Sequence, residues 1–217
     1  VKGGSPSTSH AHMDAGSFVY DAYGVRWSMD FGLQSYTTLE SKLAALGGNL
    51  WDMGQNSMRW DVFRLNNLNH STISINDTRH RVNGAATLTT TINTATELGA
   101  TFDLTEASAT RTVKIVNDKD LVVMDEIKAR TDKSAKVRWC MVTPAVPTVE
   151  SNRIILTNGS KVMYLTASGS VKPTYKQWST TSENSYDQAN PGTYMVGFEA
   201  TVTANQTATF TTTLSPK

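Results

Sequence analysis

The stretch TRTVKIVND at residues 110–118 sets Val113 and Ile115 in alternation with Thr112 and Lys114, then breaks at Asn117-Asp118. A period of two marks a strand with one face toward an apolar interior and one toward water. The same pattern recurs outward from this segment: STISIN at 71–76, KVRWCMVTP at 136–144, NRIILTNG at 152–159, KVMYLTAS at 161–168 and QTATFTTTL at 206–214. These short segments are rich in Thr, Val and Ile and are separated by Asn-Gly, Asn-Asp and Pro-containing breaks, which predicts antiparallel strands. The economical way to bury one face of each is an all-β fold, a large antiparallel β-sandwich. No fixed-period repeat and no composition break divides the 217 residues, so a single domain is expected.

Two local elements can be read nearer the start. In SFVYDAYGVRWSMDF at 17–31, a turn at Tyr23-Gly24 would pair Ala22 with Val25, Tyr20 with Trp27 and Phe18 with Met29 on an apolar face. Asp21 with Arg26 and Ser17 with Asp30 would then share the polar face, a register that a three-residue loop would slip. In TTLESKLAALGGN, Thr37 and Glu40 have capping-box spacing, Leu39, Leu43 and Leu46 share a face, and Gly47-Gly48 supply a stop. This predicts one short helix near residues 38–46, lying over the sheet without a core of its own. Between Ser57 and Asn66 both periods fit parts of the sequence.

Composition narrows the functional classes. The formal net charge is +1 and 18% of residues are charged, so no field of one sign draws the chain to nucleic acid or to a membrane surface. No apolar run reaches the ~18 residues of a spanning helix. The opening VKGGSPSTSH has neither the basic start nor the apolar centre of a signal peptide, and it reads as the beginning of a segment cut from a longer protein. A single cysteine, Cys140, excludes intrachain disulfides.

Histidine is scarce, four in the chain, yet two lie in SHAHMDAGSF at 9–18. His10 and His12 stand two apart, so in extended backbone both imidazoles project to one side. Asp30 and His70 are the other candidates for a shared site. Three nitrogen and oxygen donors from separated segments suit zinc, with bonds of about 2.0–2.2 Å and a fourth position open. On spacing alone, hydrogen-bonded surface or core histidines are the favoured reading over a metal site.

SHAHMDAGSFVYDAYGVRWSMDFG at 9–32 and WDMGQNSMRWDVFRLNNLNHSTISIN at 51–76 together resemble the heparinase II/III family of polysaccharide lyases, at the start of its C-terminal β-sandwich region. An HxHxDxGSF element, a VRWxxDFG strand and an NHxT element appear in the family's order over about residues 9–76. The strand-rich remainder is compatible with the family.

The resemblance implies a zinc ion on His12, Asp30 and His70, with His10 lining the active site to assist proton transfer or contact substrate. A further zinc-related role for His10 is the competing assignment. The activity implied is β-elimination on uronic-acid glycans of the heparin or heparan sulfate type. The main base and the carboxylate-neutralising group would come from an N-terminal helical toroid absent from this chain, which would form one wall of the cleft and have little or no activity alone. A periplasmic or secreted location follows from the same resemblance. A non-catalytic carbohydrate-binding or structural sandwich stabilised by metal is the alternative.

Arg59 and Arg64 flank an aromatic-rich segment and are candidates for binding a sugar carboxylate or sulfate; Arg79 and Arg81 suit either that role or ordinary ion pairs. Trp51, Trp60 and Trp178 suit sugar stacking or the core. Asp14, before Ala-Gly, suits a turn or a supporting hydrogen bond. The four Asn-x-Ser/Thr triplets decide nothing.

Overall fold

The computed structural model describes residues 1–217, apart from the side chains of residues 90–92. The alternating segments form strands β3 (Ile73–Ile75), β4 (Ala85–Asn93), β5 (Glu97–Asp103), β6 (Ser108–Val116), β7 (Asp120–Lys128), β8 (Ala135–Thr143), β9 (Val146–Val149), β10 (Ile154–Asn158), β11 (Lys161–Gly169), β12 (Thr174–Trp178), β13 (Tyr194–Val202) and β14 (Thr207–Pro216), preceded by a hairpin of β1 (Tyr20–Ala22) and β2 (Val25–Ser28). One sheet has eight strands in the order β4-β5-β6-β7-β14-β11-β10-β9, and a second has four in the order β12-β13-β8-β3. Pairing within both sheets is antiparallel. The predicted β-sandwich is the observed fold.

The deciding stretch ends β6, and Asn117 and Asp118 turn the chain into β7 with φ of 54° and 58°. That left-handed backbone is tolerated by Asn and Asp better than by most residues. Val123, Ile127, Leu165, Phe210 and Leu214 of the large sheet share one core with Val137, Trp139, Met141, Val196 and Phe198 of the small sheet. Trp139 stacks on Phe198 with centroids 5.7 Å apart. Burying such a side chain is worth about 1.5–3 kcal/mol, so this interior dominates stability.

A charged pair sits within that interior. Arg111 on β6 and Asp125 on β7 are both fully buried and joined through Nε–Oδ1 at 2.7 Å and Nη2–Oδ2 at 3.0 Å. Trp139 Nε1 donates to the same carboxylate at 2.9 Å, and Arg111 Nη1 donates to the Gly16 carbonyl at 2.9 Å. Gly16 itself has φ of 80°, and a Cβ there would lie 2.5 Å from the Phe102 ring. The segment carrying His10, His12 and Asp14 is thereby pinned to the large sheet at its end.

Strand β8 is covered on both faces. Trp139 and Met141 point into the sandwich, while Cys140 and Val142 pack with Phe31, Phe63 and Met195 on the outer side of the small sheet. Phe31 and Phe63 reach this outer side, and Arg138 donates to the Leu68 carbonyl, whereas the hairpin sends Tyr20 and Trp27 into the main core and is followed by Met29, whose N–H donates to the Val142 carbonyl.

Three local expectations need correction. In the hairpin, Ala22 pairs with Val25 and Asp21 with Arg26 as predicted, but Tyr20 pairs with Ser28 because Trp27 is an extra, bulged residue. Trp27 turns into the core and donates to the Ala22 carbonyl, so Met29 meets β8 instead of Phe18. The helix, α1 (Tyr36–Ala45), starts from Ser35 without a side-chain cap; Thr37 lies inside it, and Glu40 accepts from the Trp51 indole. The glycine stop is present, with Gly47 at φ 78° and Gly48 N–H returning to the Leu43 carbonyl. Leu39 and Leu43 form a separate small core with Met13, Leu50, Trp60, Val62 and Leu65, whereas Leu46 is exposed. The ambiguous segment resolves into three short 3-10 turns at Met58–Asp61, Phe63–Leu65 and Asn67–Asn69, each too brief to establish a helical stripe.

Candidate functional site

His10–Gly16 is an irregular segment held from many directions. Met13 N–H donates to Leu65 O, Thr72 Oγ1 to Ala15 O, and Arg59 Nη2 to Ala11 O, the peptide between the two histidines. Asp14 is nearly buried and accepts from Lys2 Nζ at 2.6 Å, and its carbonyl takes the Ser17 N–H, the turn and support role expected of it. With its backbone fixed this way, the segment presents His12 and His10 to different surroundings.

His12 faces His70, their ring centroids 5.7 Å apart. His70 follows the last 3-10 turn, just before β3, and is fully buried. Its Nδ1 lies 2.7 Å from Asp30 Oδ2, and Asp30 Oδ1 accepts the Gly32 N–H at 2.8 Å. The three residues named from the sequence therefore come together, although 18 and 40 residues separate them in the chain.

Electrostatics separate the members of the cluster. Burial pushes His12 down to about 4, helped by the neighbouring His70 and against the pull of Asp14 and Asp30. Burial acts to raise Asp30, but the hydrogen bond and charge of His70, with the Gly32 N–H and His12, prevail and hold it at about 2. His12 is thus neutral and Asp30 ionised at neutral pH, the forms that bind a metal.

Two imidazoles and a carboxylate are a zinc-type donor set, and rings sharing one tetrahedral ion have centroids on the order of 5 Å apart. His70 Nε2 is buried without a hydrogen-bond partner, a vacancy in bonding that an ion would satisfy. As placed, Asp30 is bonded to His70, the arrangement of a carboxylate orienting a ligand imidazole. No group of three or more His, Cys, Asp or Glu side chains among the described residues forms a ready ligand set. The donor types suit zinc, but both Asp30 oxygens are engaged, on His70 Nδ1 and on the Gly32 N–H, so direct ligation by Asp30 requires one of these bonds to give way.

His10 points elsewhere. It has φ of 62°, is exposed, stacks on Tyr36 with centroids 5.6 Å apart, and meets the edge of Trp51 at 5.3 Å. It therefore lies at the surface, apart from the His12–His70–Asp30 cluster. Tyr36 gave no sequence signal beyond being an aromatic at a helix start.

The arginines differ from expectation. Arg59 is fully buried; it donates to Leu50 O and Ala11 O and lies over the Tyr36 and Trp60 rings. Arg64 is nearly buried and is spent on Asn190 Oδ1, Leu33 O and Ala189 O. Burial and these bonds make both arginines clamps of the fold and not the surface cations expected of them, although Arg59 Nε is left without a partner. Arg79 pairs with Asp61 and Arg81 with Asp103, the ordinary ion pairs considered for them. Trp60 is core, Trp178 lies against the Arg138 guanidinium at 4.2 Å, and Trp51 is 42% exposed.

An antiparallel sandwich with a histidine–carboxylate cluster beside the edge strand β3 of its smaller sheet is the class this structure defines. The chain belongs to the family described as Heparinase II/III-like, C-terminal, whose model matches residues 1–215. Among solved structures it is similar to heparinase III, at 15% identity and a TM-score of 0.69 over 97% of this chain and 30% of that one. It is likewise similar to heparan sulfate lyase HepC from Pedobacter heparinus, at 15% identity and a TM-score of 0.63 over 95% of this chain and 31% of that one. The chain thus spans about a third of the length of those structures. No curated protein matches the sequence. Among the described residues no helix is long and apolar enough to cross a membrane.

Proposed function

We propose that this chain forms one wall of the active-site cleft of a polysaccharide lyase that cleaves acidic, uronic-acid-containing glycans of the heparan sulfate type by β-elimination. The observation that carries the reading is the convergence of His12, Asp30 and His70 beside an exposed His10, on a segment tied down by Arg59 and Arg111. Family membership and the fold shared with the two lyases support it.

In such an elimination a base takes the proton α to the uronate carboxylate, a carbon–carbon double bond forms, and the bond to the β glycosidic oxygen breaks as that oxygen takes up a proton. His10, exposed and held by its ring contacts, is the group of this chain that reaches the substrate and assists proton movement. The principal base and the group neutralising the carboxylate would come from an N-terminal helical part of the same protein, so this chain alone is expected to have little or no activity. His12, Asp30 and His70 would hold zinc, which when bound cross-links the His12 segment to the Asp30 loop and β3 and takes no part in bond breaking. A periplasmic or secreted location belongs to the same reading.

The test is digestion of a panel of uronic-acid glycans by the full-length protein, followed by ultraviolet absorbance of the unsaturated product. Absorbance that is lost in His10→Ala supports the lyase. Sugar binding with no new absorbance points to a non-catalytic carbohydrate-binding module, and new reducing ends without absorbance point to a hydrolase.

A further inference from the structure

Three aromatic rings from three separate segments meet at the surface next to the histidine–carboxylate cluster. His10 stacks on Tyr36 at 13° between planes, and Trp51 stands edge-on to both, 5.3 Å from His10 and 5.4 Å from Tyr36. Trp51 is 42% exposed, His10 is exposed and Tyr36 is half-buried. A lone exposed tryptophan would need no explanation, but this one is fixed. Its indole N–H is held by Glu40 at 2.9 Å, and its backbone N–H by Asn49 Oδ1 at 2.9 Å. The Tyr36 hydroxyl donates to His10 O at 3.2 Å. Beneath the rings, the buried Arg59 guanidinium grips Ala11 O and Leu50 O, the residues next to His10 and Trp51, and lies under Tyr36.

We propose that Trp51, braced edge-on against the stacked His10 and Tyr36 rings, forms a preorganised stacking platform whose exposed indole takes the apolar C–H face of a pyranose ring of the acidic polysaccharide, beside the sugar that reacts. This rests on the proposed lyase reading and adds to it a binding subsite and the residues that make it. Two features favour a sugar as occupant. The indole N–H is already bonded to Glu40, and the Tyr36 ring is taken up by His10 and Arg59, so the aromatic surface left for a sugar's C–H face is that of the exposed indole. The surroundings are polar and exposed: Glu40 and Asn49 bond Trp51, and the exposed Ser9 and Asp52 adjoin His10 and Trp51 in the chain, so the aromatic area matches one ring with its hydroxyls turned outward and is too small for a protein interface. Arg59 acts as a positioning residue, holding two segments of the platform in register.

Covering about half of the indole removes on the order of 60 Å² of ring surface from water, worth about tenfold in affinity. The test is calorimetric titration of this chain with size-defined heparan sulfate, chondroitin sulfate and alginate oligosaccharides, with polyvinyl sulfate as a polyanion lacking sugar rings. Nuclear magnetic resonance follows the Trp51 indole N–H in parallel. The platform predicts that a bound oligosaccharide shifts this resonance while polyvinyl sulfate leaves it in place. It also predicts about tenfold weaker oligosaccharide binding by Trp51→Ala and near wild-type binding by Trp51→Phe. If Trp51 merely covers the end of the helix, Trp51→Ala lowers thermal stability and leaves affinity unchanged, which overturns the platform while the lyase reading stands. Failure of the wild-type chain to bind any of the oligosaccharides overturns the platform together with the assignment of an acidic-glycan site to this chain.

Discussion

Replacing Arg111 by Met should be among the most damaging single changes outside the functional site. Arg111 and Asp125 are both fully buried, and the arginine supplies two of the three donors on that carboxylate, leaving only Trp139 Nε1 in its absence. Removing one member of such a pair costs about 3–5 kcal/mol, because the other is left charged and uncompensated in the interior. The Gly16 carbonyl loses its donor too, a further cost of about 1 kcal/mol. At about 2–4 °C per kcal/mol for a chain of this size, melting should fall by about 8–24 °C. Urea denaturation of Arg111→Met, Asp125→Leu and the double variant measures this directly. The double variant, with no charge left to strand, should recover most of the loss, and amide exchange at Met13 and Gly16 should quicken in Arg111→Met. A cost below about 1 kcal/mol in Arg111→Met, or a double variant no better than the single ones, would refute the reasoning.

Other outcomes follow from single observations. His80 is fully buried, with Nε2 on the Ile73 carbonyl, and burial lowers it to about 4. The unfolded chain therefore binds a proton that the folded chain does not between about pH 6.5 and 4, so stability is complete above that window and falls as pH drops through it, by about 3 kcal/mol. His80→Gln should remove about half of the slope from this part of a stability–pH profile measured by urea denaturation, His12 supplying the rest, and an unchanged slope would contradict the assignment. Gly16→Ala puts a Cβ against the Phe102 ring at a backbone with φ of 80°, so it should lower stability by about 2 kcal/mol or more in thermal melts.

The strands were legible because their alternation reports a physical constraint that acts within each segment: one face of Val113 and Ile115, or of Met163 and Leu165, must leave water. The His12, Asp30 and His70 grouping was legible only through resemblance, since nothing local to NHST or SMDF says that a hairpin and a set of 3-10 turns will bring them together. The hairpin register failed beyond Asp21 because a bulge at Trp27 is chosen by the core that receives the indole. The helix cap failed for a similar reason, Glu40 being drawn to Trp51 from a later segment. Arg59 and Arg64 misled most. An arginine among aromatics reads as a surface cation, and only tertiary structure reveals backbone carbonyls such as Ala11 O and Leu33 O waiting to receive it.

The most direct measurement is the metal content and metal X-ray absorption of this chain after equilibration with zinc and removal of the excess. The account predicts one zinc per chain in a nitrogen- and oxygen-only shell with bonds of about 2.0–2.2 Å, falling well below stoichiometry in His12→Ala and in His70→Ala. A folded wild-type chain that retains no zinc, or variants that retain it fully, would contradict the claim that these side chains gather around an ion.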